Sequence, residues 1–323
     1  MPDVISAGTT CHTPQDQAQR LLALKSPLST IRVLPLQFRL KRLAPDADAA
    51  LLRSVWGKCL HDSIPAAYDE VFRTEKRARD PEGRIPPNRP QPYVLCLGLP
   101  ANDGTVPMEL TLIGDAVKHE SSVLRGWQLA SRMGLGSKRL PFEVISCVPL
   151  DPHERPIQRT GPSAAWDLSQ VAWPLKSDPE TSPCRLEMVT PLRLLSREIA
   201  DATPRELKGN KRLIESPTFA QLVASAMRRI GPFLAPVERL GWQMQERRCV
   251  ELAERHPCGE FSGWIQSSER WSASQKASLN FAGVCGSLSL PFGPGPFWML
   301  LAVARWLHLG KNTTHGLGVI RMS

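Results

Sequence analysis

Ile31-Arg32-Val33-Leu34-Pro35-Leu36-Gln37-Phe38-Arg39-Leu40-Lys41 alternates in character along its length. Leu34, Leu36, Phe38 and Leu40 share one face, and Gln37, Arg39 and Lys41 share the other. A period of two marks a half-buried strand, here with a basic outer face. Asp46 or Asp48 follows as a candidate N-cap, and Leu51, Leu52, Val55, Trp56, Cys59 and Leu60 then form one helical stripe. Ser54, Lys58 and His61 fall on the opposite side of that helix. Beyond the Pro-rich stretch from Pro81 to Pro92, two strands are predicted, Tyr93–Leu99 and Val106–Ile113. They flank a turn at Asp103-Gly104. A helix over 115–133 ends at Gly134-Leu135-Gly136, and Phe142–Val148 reads as a strand. The order strand, helix, strand, strand, helix, strand is that of a ferredoxin-like unit. That fold hosts many functions and identifies none by itself.

Working outward, residues 1–29 read as a polar tail or a short helix, 30–150 as the first domain and 151–184 as a linker rich in Pro, Ser and Asp. The 323 residues suit about two domains at roughly 100–200 residues each. A second domain, 185–323, starts at Cys184–Pro191 and is expected to be helical and basic from Leu192 to about Glu254. Strands are expected at Phe261–Ile265 and Leu317–Met322, a Gly-containing strand or turn over Phe281–Leu290, and an apolar helix over Phe297–Leu307. The fold class is therefore α+β: two ferredoxin-like domains, the second carrying a basic helical insertion.

The net charge of +9 favours a polyanionic partner, although charge alone does not separate nucleic acid from an acidic membrane. Arg20 to Lys58 holds eight basic residues against two acidic ones, and Arg193 to Arg248 eleven against six. The remainder sums to −2, so the excess sits in two patches. Eight scattered cysteines include no C-x-x-C pair, and Cys249, His256 and Cys258 lack the spacing of common zinc sites. No metal or cofactor is expected, and the cysteines read as small buried hydrophobes of a reducing compartment. The uncharged run from Ala277 to Ala304 is broken by Gly283, Gly286, Pro291, Gly293, Pro294, Gly295 and Pro296, which argues against a membrane span. A cytoplasmic protein without a membrane partner is expected.

Gly310-Lys311-Asn312-Thr313-Thr314-His315-Gly316-Leu317-Gly318 combines three glycines, a lysine and two threonines. Glycines let backbone N–H groups approach an anion, and Lys311, Thr313 and Thr314 add a charge and hydroxyls. Two readings stand together: a phosphate cradle, or a Gly-rich helix-to-strand turn packed on its neighbours. The lysine comes early and the helix precedes the loop, so this is not a Walker loop.

This segment, with Arg270-Trp271-Ser272 and Gly283-Val284-Cys285-Gly286 before it, resembles the C-terminal signature of the RAMP-superfamily CRISPR repeat endoribonucleases. Upstream, Thr190-Pro191-Leu192-Arg193-Leu194 and Ala226-Met227-Arg228-Arg229-Ile230 resemble that family's Thr-Pro-x-Arg-Leu segment and Arg-Arg helix. Leu34–Leu40 and Gly134-Leu135-Gly136 resemble its first strand and a Gly-rich loop of its first domain. The resemblance spans about residues 30–323. It implies two RRM-like domains of the RAMP kind and metal-independent cleavage of CRISPR precursor RNA within the repeat hairpin. It also implies that the guide stays bound, with other CRISPR effector subunits as partners. A non-catalytic RNA-binding subunit of such a complex is the alternative.

Cleavage of this kind moves a proton from a ribose 2′-hydroxyl as it attacks phosphorus, and stabilises the phosphorane charge. Histidine suits the first task, and Lys or Arg the second. His61 is the first candidate, with Lys58 one turn earlier on the same face. His12, His119, His153, His256, His308 and His315 stay open, although the place of His308 and His315 in the signature favours structural or RNA-backbone roles. Arg39 joins the catalytic candidates because relatives in the type IV branch lean on arginines. Arg193, Arg212, Arg228, Arg229, Arg270, Trp271, Gly310, Lys311, Thr313, Thr314, Gly316 and Gly318 are expected to contact RNA. Trp298 and Trp306 read as core, and Trp271 is kept in preference to Trp264 for base stacking.

Overall fold

A computed structural model describes residues 24–73, 90–158, 164–197, 211–267, 269–272 and 277–323. Strand β1 (Arg32–Lys41) runs one residue short of its expected start, because Ile31 ends a turn begun by the short helix Lys25–Leu28. Leu24 and Leu28 are buried, so the described end of the polar N-terminal segment docks on the core. Helix α1 (Ala49–Ser63) starts where Asp48 accepts a hydrogen bond from the Leu51 N–H at 2.6 Å. A short helix α2 (Pro65–Val71) follows, with Pro65 at its first position. Strands β2 (Tyr93–Leu97) and β3 (Thr105–Ile113), helix α3 (Glu120–Met133) and strand β4 (Glu143–Pro149) complete the unit. The first five residues of the expected 115–133 helix form a tighter 3₁₀ turn instead.

The first sheet has the antiparallel order β2-β3-β1-β4, the ferredoxin-like pattern. Its helix-facing side is closed by aromatic packing. Trp127 of α3 stacks on Trp56 of α1 at 5.3 Å between ring centroids, and Phe38 of β1 lies 5.7 Å from Trp127. Gly126 lets α3 come this close, since a Cβ there would stand 2.7 Å from Leu60.

The stretch read as a linker is not merely a tether. Trp166–Asp167 forms strand β5 on the start of β1, and the Trp166 indole donates to the Leu150 carbonyl at 3.0 Å. Leu168 and Val171 are buried beside it. Their spacing is too short to show periodicity in a Pro-rich run.

The second domain opens with β6 (Cys184–Leu192). The next stretch departs from the expected helix. Leu195–Arg197 and Lys211–Leu213 pair as strands β7 and β8. The basic helices come later, as α4 (Phe219–Ile230) and α5 (Pro236–Glu254). Strand β9 (Phe261–Gln266), the hairpin of β10 (Glu269–Ser272) and β11 (Ala277–Asn280), β12 (Gly283–Leu290), helix α6 (Trp298–Leu307) and β13 (Ile320–Met322) follow. The order β13-β6-β12-β9, antiparallel throughout, repeats the first sheet. The two-domain α+β reading therefore holds, with α4 and α5 lying in the crossover between β6 and β9.

The two units share a core. Val33, Val94, Ile113 and Leu150 of the first sheet's far face cluster with Leu300, Leu301, Val303 and Ala304 of α6. Trp166 meets Trp306 edge-on at 5.5 Å, and Trp306 is buried as expected. Across the same seam, Arg305 bonds Glu109 at 2.8 Å and Glu154 at 3.1 Å. Burial opposes its charge, and the two carboxylates outweigh that and hold its pKa above the usual value.

Candidate nucleic-acid interface

The Gly-rich segment leaves α6 at His308 and doubles back on itself. The Leu309 N–H donates to the Gly318 carbonyl at 2.8 Å, and the Gly318 N–H donates to the Pro191 carbonyl at 3.1 Å. Gly318 has φ +77°, and a Cβ there would meet the Leu309 carbonyl oxygen at 1.8 Å. A Cβ on Gly316 would stand 2.6 Å from the Ala49 Cβ, so the loop presses on the first turn of α1.

These contacts favour the packed turn over a cradle built from glycine N–H groups. The Gly310 N–H goes to the Ser225 hydroxyl at 3.0 Å, and the Lys311 N–H to the Arg193 carbonyl at 3.0 Å. His315, Gly316 and Leu317 direct theirs to Asn312 or Thr313 carbonyls. Gly316 and Gly318 thus shape the loop rather than offer donors to a ligand. Thr313 and Thr314 are buried.

What the loop does offer is one wall of a groove of about 1380 Å³. Arg193 and Ser196 line another wall, and Gln221, Ser225 and Arg228 of α4 a third. Lys311, Asn312 and His315 stand on the loop side, and Gln91 of the first domain also lines the groove. The fold therefore gathers Arg193, Arg228, Gly310, Lys311, Thr313 and Thr314 from three separated stretches of sequence. Arg228 is well exposed, and its Nε holds Glu246 at 2.6 Å. Arg193 donates to the Ala282 carbonyl at 2.8 Å.

Arg229 departs from the expectation of an RNA contact. Although it borders the groove, its side chain is buried, donates to the Leu307 carbonyl at 3.0 Å and lies over the Phe233 ring at 5.4 Å. Burial pulls its pKa down to about 10. It ties α4 to the end of α6. Arg212 is exposed on β8 and does not line the groove. The side chains of Arg270 and Trp271 lie outside the described residues, and so does His12. Trp264, passed over in the sequence, is 64% exposed on β9, the edge strand of the second sheet.

The residues expected to carry chemistry do not converge. His61 and Lys58 both reach Asp62, His61 through Nδ1 and Lys58 through Nζ, each at 2.8 Å. Those bonds, His61's first, hold the Asp62 carboxyl below the usual range. The His61 ring meets Tyr68 edge-on at 5.0 Å. Arg39 lies on the other side of the first sheet. Its strand neighbour Phe38 packs under the helices, whereas Arg39 pairs with Asp103 beside Thr105. Neither His61 nor Arg39 lines the groove. His61 is twelve helical residues past Ala49, about 18 Å along the axis from the Gly-rich loop.

The other histidines divide cleanly. His308 is fully enclosed: burial first, then Arg305 and Arg229, push its pKa down to about 3. His256 bonds the Gly293 carbonyl at 2.9 Å between Phe219 and Phe297. His119 lies 3.8 Å from Glu70, and His153 is on the surface. Among the described residues, no group of three or more His, Cys, Asp or Glu is placed to hold a metal ion, and no helix is long and apolar enough to cross a membrane. Among the described residues no disulfide joins two cysteines, and all the described cysteines are at least partly buried except Cys258.

The class that fold and site define is a pair of ferredoxin-like domains seamed by a Gly-rich loop. Residues 186–320, most of the second domain, match the family model described as CRISPR-associated endoribonuclease Cas6. Residues 44–165 match a second model, described as an N-terminal domain. No curated protein matches the sequence. Among solved structures, a Cas6 product complex superposes with a TM-score of 0.57 at 16% identity, over 90% of this chain and 100% of that one. A partial Cas6-RT-Cas1–Cas2 complex gives 0.51 at 14% identity, over 91% of this chain and 46% of that one. At these identities the likeness is one of fold.

Proposed function

We propose that this protein cuts CRISPR precursor RNA within its repeat, without a metal ion, and retains the guide product. The observation that carries this is the groove, where the segment matching the Cas6 model brings Arg193, Arg228 and Lys311 together along a path open to a phosphate backbone. A-form RNA is read largely through shape and phosphates, so cations on helix and loop suffice for a hairpin stem. Arg212 on β8 and the hairpin carrying Arg270 and Trp271 extend the same proposal. The matched Cas6 product complex and the Cas6-RT-Cas1–Cas2 assembly support RNA and CRISPR-associated subunits as partners here. Attack by the 2′-hydroxyl would leave a 2′,3′-cyclic phosphate, with positioned side chains in place of a metal. For proton transfer the sequence suggests His61 with Lys58, and Arg39 as cationic helper, but none of the three lines the groove.

The test is incubation of the purified chain with its cognate repeat RNA in excess EDTA. Cleavage at one position supports the proposal. Tight binding with no cleavage would replace it with a non-catalytic guide-holding subunit.

A further inference from the structure

His315 sits where His61 does not. It lines the groove together with Lys311 and Arg193, one residue from the Gly316 that touches the first turn of α1. Its ring is partly exposed, unlike that of His308. Its Nδ1 lies 3.3 Å from the Thr314 hydroxyl, and its ring stands 5.3 Å from Phe281. Backbone bonds fix the loop beneath it: the His315 N–H donates to the Asn312 carbonyl at 2.9 Å. Asn312 enters this turn in the left-handed region at φ +61° and Gly316 leaves it at φ +90°. The imidazole thus has Thr314 and Phe281 as neighbours and shares the groove lining with Lys311 and Arg193.

Catalysis by proton transfer needs a titratable group within hydrogen-bond reach of the reacting oxygen and cations beside the phosphorus. Among the described histidines, His315 is the one that lines the groove. We infer that His315 is the catalytic base of the proposed repeat cleavage, with Lys311 and Arg193 stabilising the phosphorane. In the step, the 2′-oxygen bonds to phosphorus as its proton passes to the His315 imidazole. The bond from phosphorus to the 5′-oxygen breaks, and that oxygen leaves with a proton from solvent water. The products are a 2′,3′-cyclic phosphate and a 5′-hydroxyl. This rests on the endoribonuclease reading above.

The experiment is single-turnover cleavage of repeat RNA by the full chain and by its His315→Ala, His315→Gln and His61→Ala variants. Repeat affinity and thermal unfolding are measured on each, and added imidazole is tested for rescue. The expected result is a loss of about 10²–10⁴-fold in rate for both His315 variants. Affinity should stay within a few-fold of the parent, and imidazole should partly restore His315→Ala. Parent-like rates in His315→Gln would overturn the inference. So would a loss carried by His61→Ala instead, a parallel loss of affinity, or no rescue. A parent chain that binds the repeat without cutting it fails the endoribonuclease reading itself, which separates the two failures.

Discussion

His308 and Lys311 stand three residues apart and meet opposite fates. His308 is sealed under α6 with a pKa of about 3 against an unfolded value of 6.5. The unfolded chain therefore takes up a proton that the folded chain refuses. Stability is complete above pH 6.5 and falls as pH drops through the window between 6.5 and 3. The slope should reach up to about 1.4 kcal/mol per pH unit from this group. Urea midpoints at pH 7, 5.5 and 4.5 should show the decline, and a flat profile would contradict the burial. Lys311 instead borders the groove. Its replacement by alanine should weaken repeat RNA binding and lower the slope of log K against log salt by about 1. Filter binding from 50 to 300 mM salt reads this directly, and an unchanged slope would remove Lys311 from the interface. Sequence alone could not separate these fates. Both residues lie in one motif, and only the turn at Gly310 shows which faces the interior.

Among the elements, α4 bears most directly on binding because it carries Arg228 into the groove. It starts with a reciprocal capping box, in which the Gln221 N–H reaches the Thr218 hydroxyl and the Gln221 side chain accepts from the Thr218 N–H. Thr218→Ala should cost about 1 kcal/mol of stability, measurable as a lowered unfolding midpoint. The Gly-rich loop is less tolerant. Gly318→Ala has no room beside the Leu309 carbonyl, so poor yield of folded protein is expected, against normal yield for Gly241→Ala, which meets open space within helix α5. The regular elements of the first domain were legible because their apolar periods of two and 3.6 are long. Leu195–Arg197 and Lys211–Leu213 are strands where a helix is expected, because two three-residue strands carry no period and their basic residues suit either form. The groove was legible as composition in the Arg193–Arg248 patch. Which arginine turns inward was not, and Arg229 shows this: it follows Arg228 by one residue and points into the core.

On the scale of the whole molecule, the groove depends on how the two domains are held. Arg305 fixes Glu109 and Glu154 across a seam that is otherwise apolar. Removing it strands a partly buried carboxylate, so Arg305→Ala should cost roughly 3 kcal/mol, on the scale of broken buried ion pairs. Repeat affinity should fall with it, because Gln91 and the loop would lose their register. The repeated strand order was legible for the first domain and only in outline for the second, where the crossover is filled by α4 and α5. The seam between domains left no trace in local pattern, because Glu109 and Arg305 are 196 residues apart. The central claim, metal-free cleavage of repeat RNA at this seam, is tested by one measurement: mass analysis of the ends formed when the chain meets its cognate repeat RNA in EDTA. A single cut ending in a 2′,3′-cyclic phosphate is the predicted result. Intact RNA held by the protein, or cleavage that stops when the chelator is added, would contradict it.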